Sequence, residues 1–127
     1  MGQQQLLLIV LGVIIVGIAV VVGINLFNAN AVSANRDGVI SDLNNLGTMA
    51  QQYYKKPSSM AGGGNTFTAW TLPGALDTTA NGTYTISVSA QSVTIVGTGT
   101  ETGDNGSTKV EATATVSPTA ITSVKNN

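Results

Sequence analysis

The 127-residue chain contains no cysteine and no histidine. Disulfide staples, thiolate nucleophiles, zinc–thiolate sites and imidazole acid–base chemistry are therefore excluded. Charge is also scarce, at 9% of residues with a net charge of −1. That leaves no basic footprint for nucleic acid and no strong acidic field. Aromatic residues are only 5% of the chain, too few for an electron relay, and proline is absent before Pro57. With no Ser-His-Asp, Cys-His or paired-carboxylate arrangement, the expectation is a protein that is not an enzyme, with no cofactor and no metal.

What is present is divided sharply along the chain. Residues 1–35 carry no charged side chain, and every charge falls between Arg36 and Lys125. Leu6 to Ile24 is 19 residues of Leu, Ile, Val, Ala and Gly alone. A bilayer core is crossed by about 20 apolar residues in a helix, and in lipid the backbone has no other local way to satisfy its polar groups. The run is longer than the apolar region of a usual signal peptide. It reads as a membrane-spanning helix.

Beyond Ile24 the apolar residues take a helical period. Val32, Val39, Leu43, Leu46, Ala50 and Tyr53 recur at heptad-like steps, with Ile40, Met49 and Tyr54 widening the stripe. Pro57 disfavours helix in the residue before it, and Lys55 and Lys56 suit the negative end of the helix dipole. One helix is thus expected from about residue 4 to 56. At about 1.5 Å per residue it would be on the order of 75–80 Å long, too long to be packed wholly inside so small a globule.

The remainder is strand material. Thr66 to Thr71 carries strand signals. Gly82 to Ala90 alternates Tyr84, Ile86 and Val88 against threonines and serines. Gln91–Ser92 suits a tight hairpin turn, and Val93, Ile95 and Gly97 continue the apolar face. Gly97 to Thr108 reads as a polar connection with Asp104-Asn105-Gly106 as its turn. Lys109 to Val116 alternates again, and Ala120 to Lys125 suits an edge strand. The expected fold is α+β: a small antiparallel sheet of three to five strands covered by the C-terminal half of the long helix. The expected core pairs Val39, Leu43, Leu46, Ala50 and Tyr53 with Trp70, Ile86 and Ile95. The expected parts are an apolar helix over 1–30, an amphipathic half over 31–57 and a β-domain over 58–127.

Hydrophobicity alone does not separate a membrane tether from a polymerising subunit. Three features favour the subunit, one being that the outer domain shows no binding or catalytic apparatus for a tether to serve. The helix runs from the apolar segment into the domain without a flexible linker. Small residues recur as Gly12, Gly17, Ala19 and Gly23, which let helices approach closely.

A short polar start, the apolar run Leu6–Ile24 and an amphipathic continuation into a β-rich domain resemble the type IV pilin superfamily, which includes bacterial pilins, secretion pseudopilins and archaeal pilins. The resemblance covers residues 1 to about 56. It implies cleavage of a precursor by a prepilin peptidase, storage in the membrane, and extraction by assembly machinery into an extracellular homo-oligomeric helical filament. The polymerisation helix would then use Leu6, Leu7, Ile9, Leu11, Gly12, Ile15, Val16, Gly17, Val20 and Gly23. Processing and the first contacts would fall at Met1, Gly2, Gln3 and Gln5. Gln5 departs from the glutamate that many bacterial pilins carry at the fifth position, and the apolar run lacks their mid-helix proline. A largely continuous helix is expected. Other members of the same superfamily, a pseudopilin or minor pilin, and a single-pass membrane-anchored β-domain are the alternatives.

Three smaller motifs remain. Gly62-Gly63-Gly64 has no Lys-Ser/Thr after it and reads as a hinge or turn rather than a phosphate loop. Asp104-Asn105-Gly106 with Glu101 offers oxygen atoms but fits no defined calcium loop, so a plain turn is expected. Asn81-Gly82-Thr83 and Asn105-Gly106-Ser107 match the glycan-acceptor pattern.

Overall fold

The computed structural model describes residues 2–127, so the reading of Met1 as a processing residue lies outside the described residues. One helix, α1, spans Gln3–Lys55. Five strands follow: β1 Thr78–Thr79, β2 Gly82–Val88, β3 Val93–Thr102, β4 Lys109–Val116 and β5 Ile121–Lys125. They form one antiparallel sheet in sequence order. The fold is α+β. By its internal packing the chain divides into two units, one ending at Ala31 and the other running Val32–Asn127.

The Val32–Asn127 unit is built by matching one helix stripe to one sheet face. Val39, Leu43, Leu46, Gly47 and Ala50 are the buried residues of α1, at the three-and-four spacing that keeps side chains on one side. Opposite them the sheet buries Tyr84, Val93, Ile95, Val110, Ala112, Ala114 and Val116. Register puts these in cross-strand rows: Tyr84 beside Gly97 and Ile86 beside Ile95 on β2–β3, then Ile95 beside Ala114 and Gly97 beside Ala112 on β3–β4. Small residues meet on both sides of this contact. A methyl group on Gly47 would sit 3.0 Å from Ile121 and 3.1 Å from Val116, and one on Gly97 would sit 2.8 Å from both Val39 and Tyr84. Phe67 and Trp70 close the core from the connector, with the Phe67 ring 4.8 Å from that of Tyr54. Tyr53 and Ile86 are half-buried and pack at the rim, and Val32 is also half-buried.

The helix ends where its backbone is capped. Gly63, Gly64 and Asn65 donate their N–H groups to the carbonyls of Tyr53 (2.7 Å), Lys56 (2.9 Å) and Tyr54 (2.8 Å). Those carbonyls lie at the helix end, where no next turn supplies a donor. A side chain on Gly62 would collide with the Lys56 carbonyl, and one on Gly63 with the Thr66 carbonyl. The glycine triplet is therefore a helix stop that needs backbone against backbone.

Three strand expectations change. Thr66 to Thr71 is a turn rather than a strand: Trp70 N–H bonds back to Phe67, Ala69 has φ of 69°, and the Thr66 hydroxyl engages Thr68 and Ala90. Local threonine bonds compete successfully with a ladder there. β3 runs past Gly97 to Thr102, through residues that read as a connection. Gly97 and Gly99 are buried strand positions lying under the helix, so their small size serves packing. The β2–β3 connection is the four-residue Ser89–Ser92 loop, closed by Ser89 N–H and hydroxyl on the Ser92 carbonyl, instead of a two-residue turn at Gln91–Ser92.

Because the core takes one whole layer from α1, residues 32–127 expressed alone should fold cooperatively in water, whereas 58–127 should not. Circular dichroism and denaturant melts of the two fragments test this. In the longer fragment, Leu43→Ala should cost about 2–5 kcal/mol, the usual range for emptying a fully buried leucine site.

Candidate functional site

Every described residue from Gly2 to Asn30 is exposed. Leu6, Leu7, Ile9, Leu11, Ile15, Val16 and Val20 are each more than half exposed, and Phe27 is 78% exposed. α1 is long and apolar enough to cross a membrane, and its most apolar window has no buried residue. Each large aliphatic side chain left in water forgoes about 1.5–3 kcal/mol. So long an uncovered run requires lipid or protein around it.

The glycines of α1 sharpen this. In the Val32–Asn127 unit, Gly38 and Gly47 are both crowded: a methyl on Gly38 would lie 2.6 Å from the Asn81 side chain, and Gly47 faces Ile121 and Val116. Gly12, Gly17 and Gly23 have nothing within 4 Å of the same point. Each costs about 1 kcal/mol of helix propensity relative to alanine. No contact within the described chain explains that cost. At about 100° per residue, Gly12, Ala19 and Gly23 share one side to within about 20°, while Gly17 lies about 140° round. Small residues are thus offered in more than one direction.

At the start of this segment, Gln3 opens the helix, and the Gln5 N–H donates to the Gly2 carbonyl at 3.2 Å. The first turn has no acidic residue, so nothing there complements the positive end of the helix dipole.

The second unit carries a polar clamp that the sequence did not reveal. One oxygen of Asp42 accepts from the Tyr84 hydroxyl (2.6 Å), the Thr79 hydroxyl (2.8 Å) and the Asn81 amide (3.0 Å). Burial works against the Asp42 charge, but the bonds from Tyr84, Asn81 and Thr79 outweigh it and hold the carboxyl below its ordinary value. Burial, then the bond to Asp42, pushes the Tyr84 phenol above its usual range. Asn35 joins the helix to the sheet by donating to the Asn81 carbonyl and accepting from the N–H groups of Thr100 and Glu101. Neither residue stood out in the sequence, because a helix-face Asp or Asn normally signals only solvent. Their partners lie 37 to 66 positions away.

Asp104 is likewise occupied by the protein. One carboxylate oxygen accepts from Arg36 at 2.8 Å, and the other pairs with Lys125. The bonds from Lys125 and Arg36 lower its pKa. The expected turn is present: Gly106 has φ of 72°, and its N–H bonds to the Gly103 carbonyl at 3.0 Å. The Asn127 amide fills this turn, donating to Thr108 and Lys109.

The lowered carboxylates set the acid response. A carboxyl whose pKa is depressed by folding adds stability above its unfolded value, near 3.9, and that stability is lost as pH falls through the folded value. The melting temperature of residues 32–127 should therefore drop on acidification below about pH 4. Asp42→Asn should lower the neutral-pH melting temperature and reduce that drop, leaving the part due to Asp104. Thermal melts from pH 7 to 2 measure both.

No family model matches the chain, and neither does any curated protein or solved structure.

Proposed function

We propose that this chain is the structural subunit of an extracellular helical filament. It is stored in the membrane through Leu6–Ile24 and polymerises when that segment exchanges lipid for the same segment of other copies. The observation that supports this best is the contrast among the helix glycines. Gly38 and Gly47 are explained by contacts inside the Val32–Asn127 unit, whereas Gly12, Gly17 and Gly23 face empty space on more than one side. Lipid has no use for a missing side chain. A neighbouring helix does, because small residues let backbones come close and gain van der Waals contact.

The exchange is physically reasonable. Lipid tails and packed aliphatic side chains are both apolar, so moving the segment from bilayer to filament core conserves most of its burial. One repeated heterologous contact that does not close a ring gives an open helical polymer. The outward sheet face, with Thr83, Thr85, Ser87 and Thr115 exposed, would keep the fibre wall hydrated. The scheme needs no cofactor, and its partners are copies of the chain plus a processing peptidase and assembly machinery of the type IV pilin kind. Adhesion, motility and biofilm scaffolding are all roles such a fibre fills.

Shearing producing cells and imaging the supernatant tests the proposal. Long uniform fibres composed of this chain are expected, and Gly17→Asp should abolish them while leaving residues 32–127 folded. Gly12→Leu, which keeps the segment apolar, should also reduce fibre yield strongly. Protein confined to membrane fractions, or normal fibres from Gly17→Asp, would contradict it.

A further inference from the structure

The two acceptor patterns, Asn81-Gly82-Thr83 and Asn105-Gly106-Ser107, stand in opposite surroundings. Asn81 is half-buried, and its amide nitrogen donates to the Asp42 carboxylate at 3.0 Å. Its side chain also lies against α1, with its carbonyl carbon 2.7 Å from where a methyl on Gly38 would be. Gly82 and Thr83 are fixed in β2 between two strands, since Thr83 pairs with Thr78 on one side and Thr98 on the other. Asn105 and Ser107 are exposed in the β3–β4 turn, outside any strand. The Asn105 side-chain oxygen is held by the N–H groups of Ser107 and Thr108 and by the Asn127 amide. Its nitrogen has one partner, the exposed Thr108 hydroxyl at 2.8 Å.

We infer that Asn105 is a glycan-attachment site and that Asn81 is not. The donor class is a sugar activated as a lipid-linked pyrophosphate. The Asn105 amide nitrogen forms the bond to the sugar's anomeric carbon, and the bond from that carbon to the pyrophosphate oxygen breaks. The lipid pyrophosphate leaves with the electron pair, and one amide proton passes to a base of the transferase. At Asn105 the modification gives up a single solvent-exposed hydrogen bond. At Asn81 the sugar would have to extend from a nitrogen held against Asp42, into space beside Gly38 that α1 occupies, so Asn81 modified before folding could not join the clamp. The Asn105 turn can be presented to a transferase without opening the sheet. This inference rests on the part of the proposed function that carries residues 32–127 outside the membrane, and not on polymerisation.

The test is peptide mass spectrometry of the full chain purified from the cells that naturally produce it. A sugar mass is expected on the peptide containing Asn105, with the Asn81 peptide bare. Asn105→Gln and Ser107→Ala should remove it completely, and Ser107→Thr should retain it, because the pattern needs a hydroxyl at that position. A bare Asn105 peptide, or a sugar on Asn81, would overturn the inference. Because the readout is a mass, a glycosylated chain that forms no fibres would defeat the polymerisation proposal while leaving this one standing.

Discussion

The structure depends on the burial of one stripe of α1 against one face of a five-stranded sheet. Val39, Leu43, Leu46 and Ala50 are inaccessible or nearly so, and the sheet answers them with Val93, Ile95, Ala112, Ala114 and Val116. A sheet of this size has too little apolar surface to stand without cover. Much else in the Val32–Asn127 unit serves that contact. Gly47, Gly97 and Gly99 let the two layers approach, the glycine triplet ends the helix where its cover is complete, and the Asp42 and Asn35 bonds fix the layers along their margins.

The same rule, applied to the rest of α1, carries the functional argument. Apolar surface is covered wherever a partner exists. The sheet covers the second half of the helix, and no described residue covers the first. The glycines distinguish the halves more finely than hydrophobicity does. In the second half each helix glycine answers to a named neighbour, and in the first half none does. A bilayer accounts for the exposed leucines and valines, but it gives no reason for helix-weakening glycines on more than one side. Under the proposed polymerisation, neighbouring helices would account for both.

The architecture was readable from periodicity. The uninterrupted run Leu6–Ile24, the heptad-like steps to Tyr53 and the stop before Pro57 placed α1 to within a residue at each end. Alternation placed β2 and β4, because one face of each is buried and the other is not. Glycine was where that reading weakened. A glycine in a strand lining a close helix contact looks the same in sequence as a glycine in a loop, so the second half of β3 reads as a connection. Around Phe67 the aromatic and β-branched residues favour strand, but left-handed Ala69 and the threonine bonds turn the chain there. The Asp42 clamp is invisible in the sequence because Asp42 lies on α1, 37 to 42 positions from its partners Thr79, Asn81 and Tyr84 on the β1–β2 hairpin, with no local signal that they converge. The helical state of the apolar half, by contrast, is legible from the uninterrupted run alone.

The central claim is that the apolar half of α1 is covered by copies of itself. The absence of native cysteine allows a direct measurement: one cysteine placed at Ala19, on the side shared by Gly12 and Gly23, followed by a short thiol cross-linker applied to material sheared from cells. The account predicts covalently joined pairs of this chain in that material. Chains that stay single in sheared fibres of normal yield would contradict it.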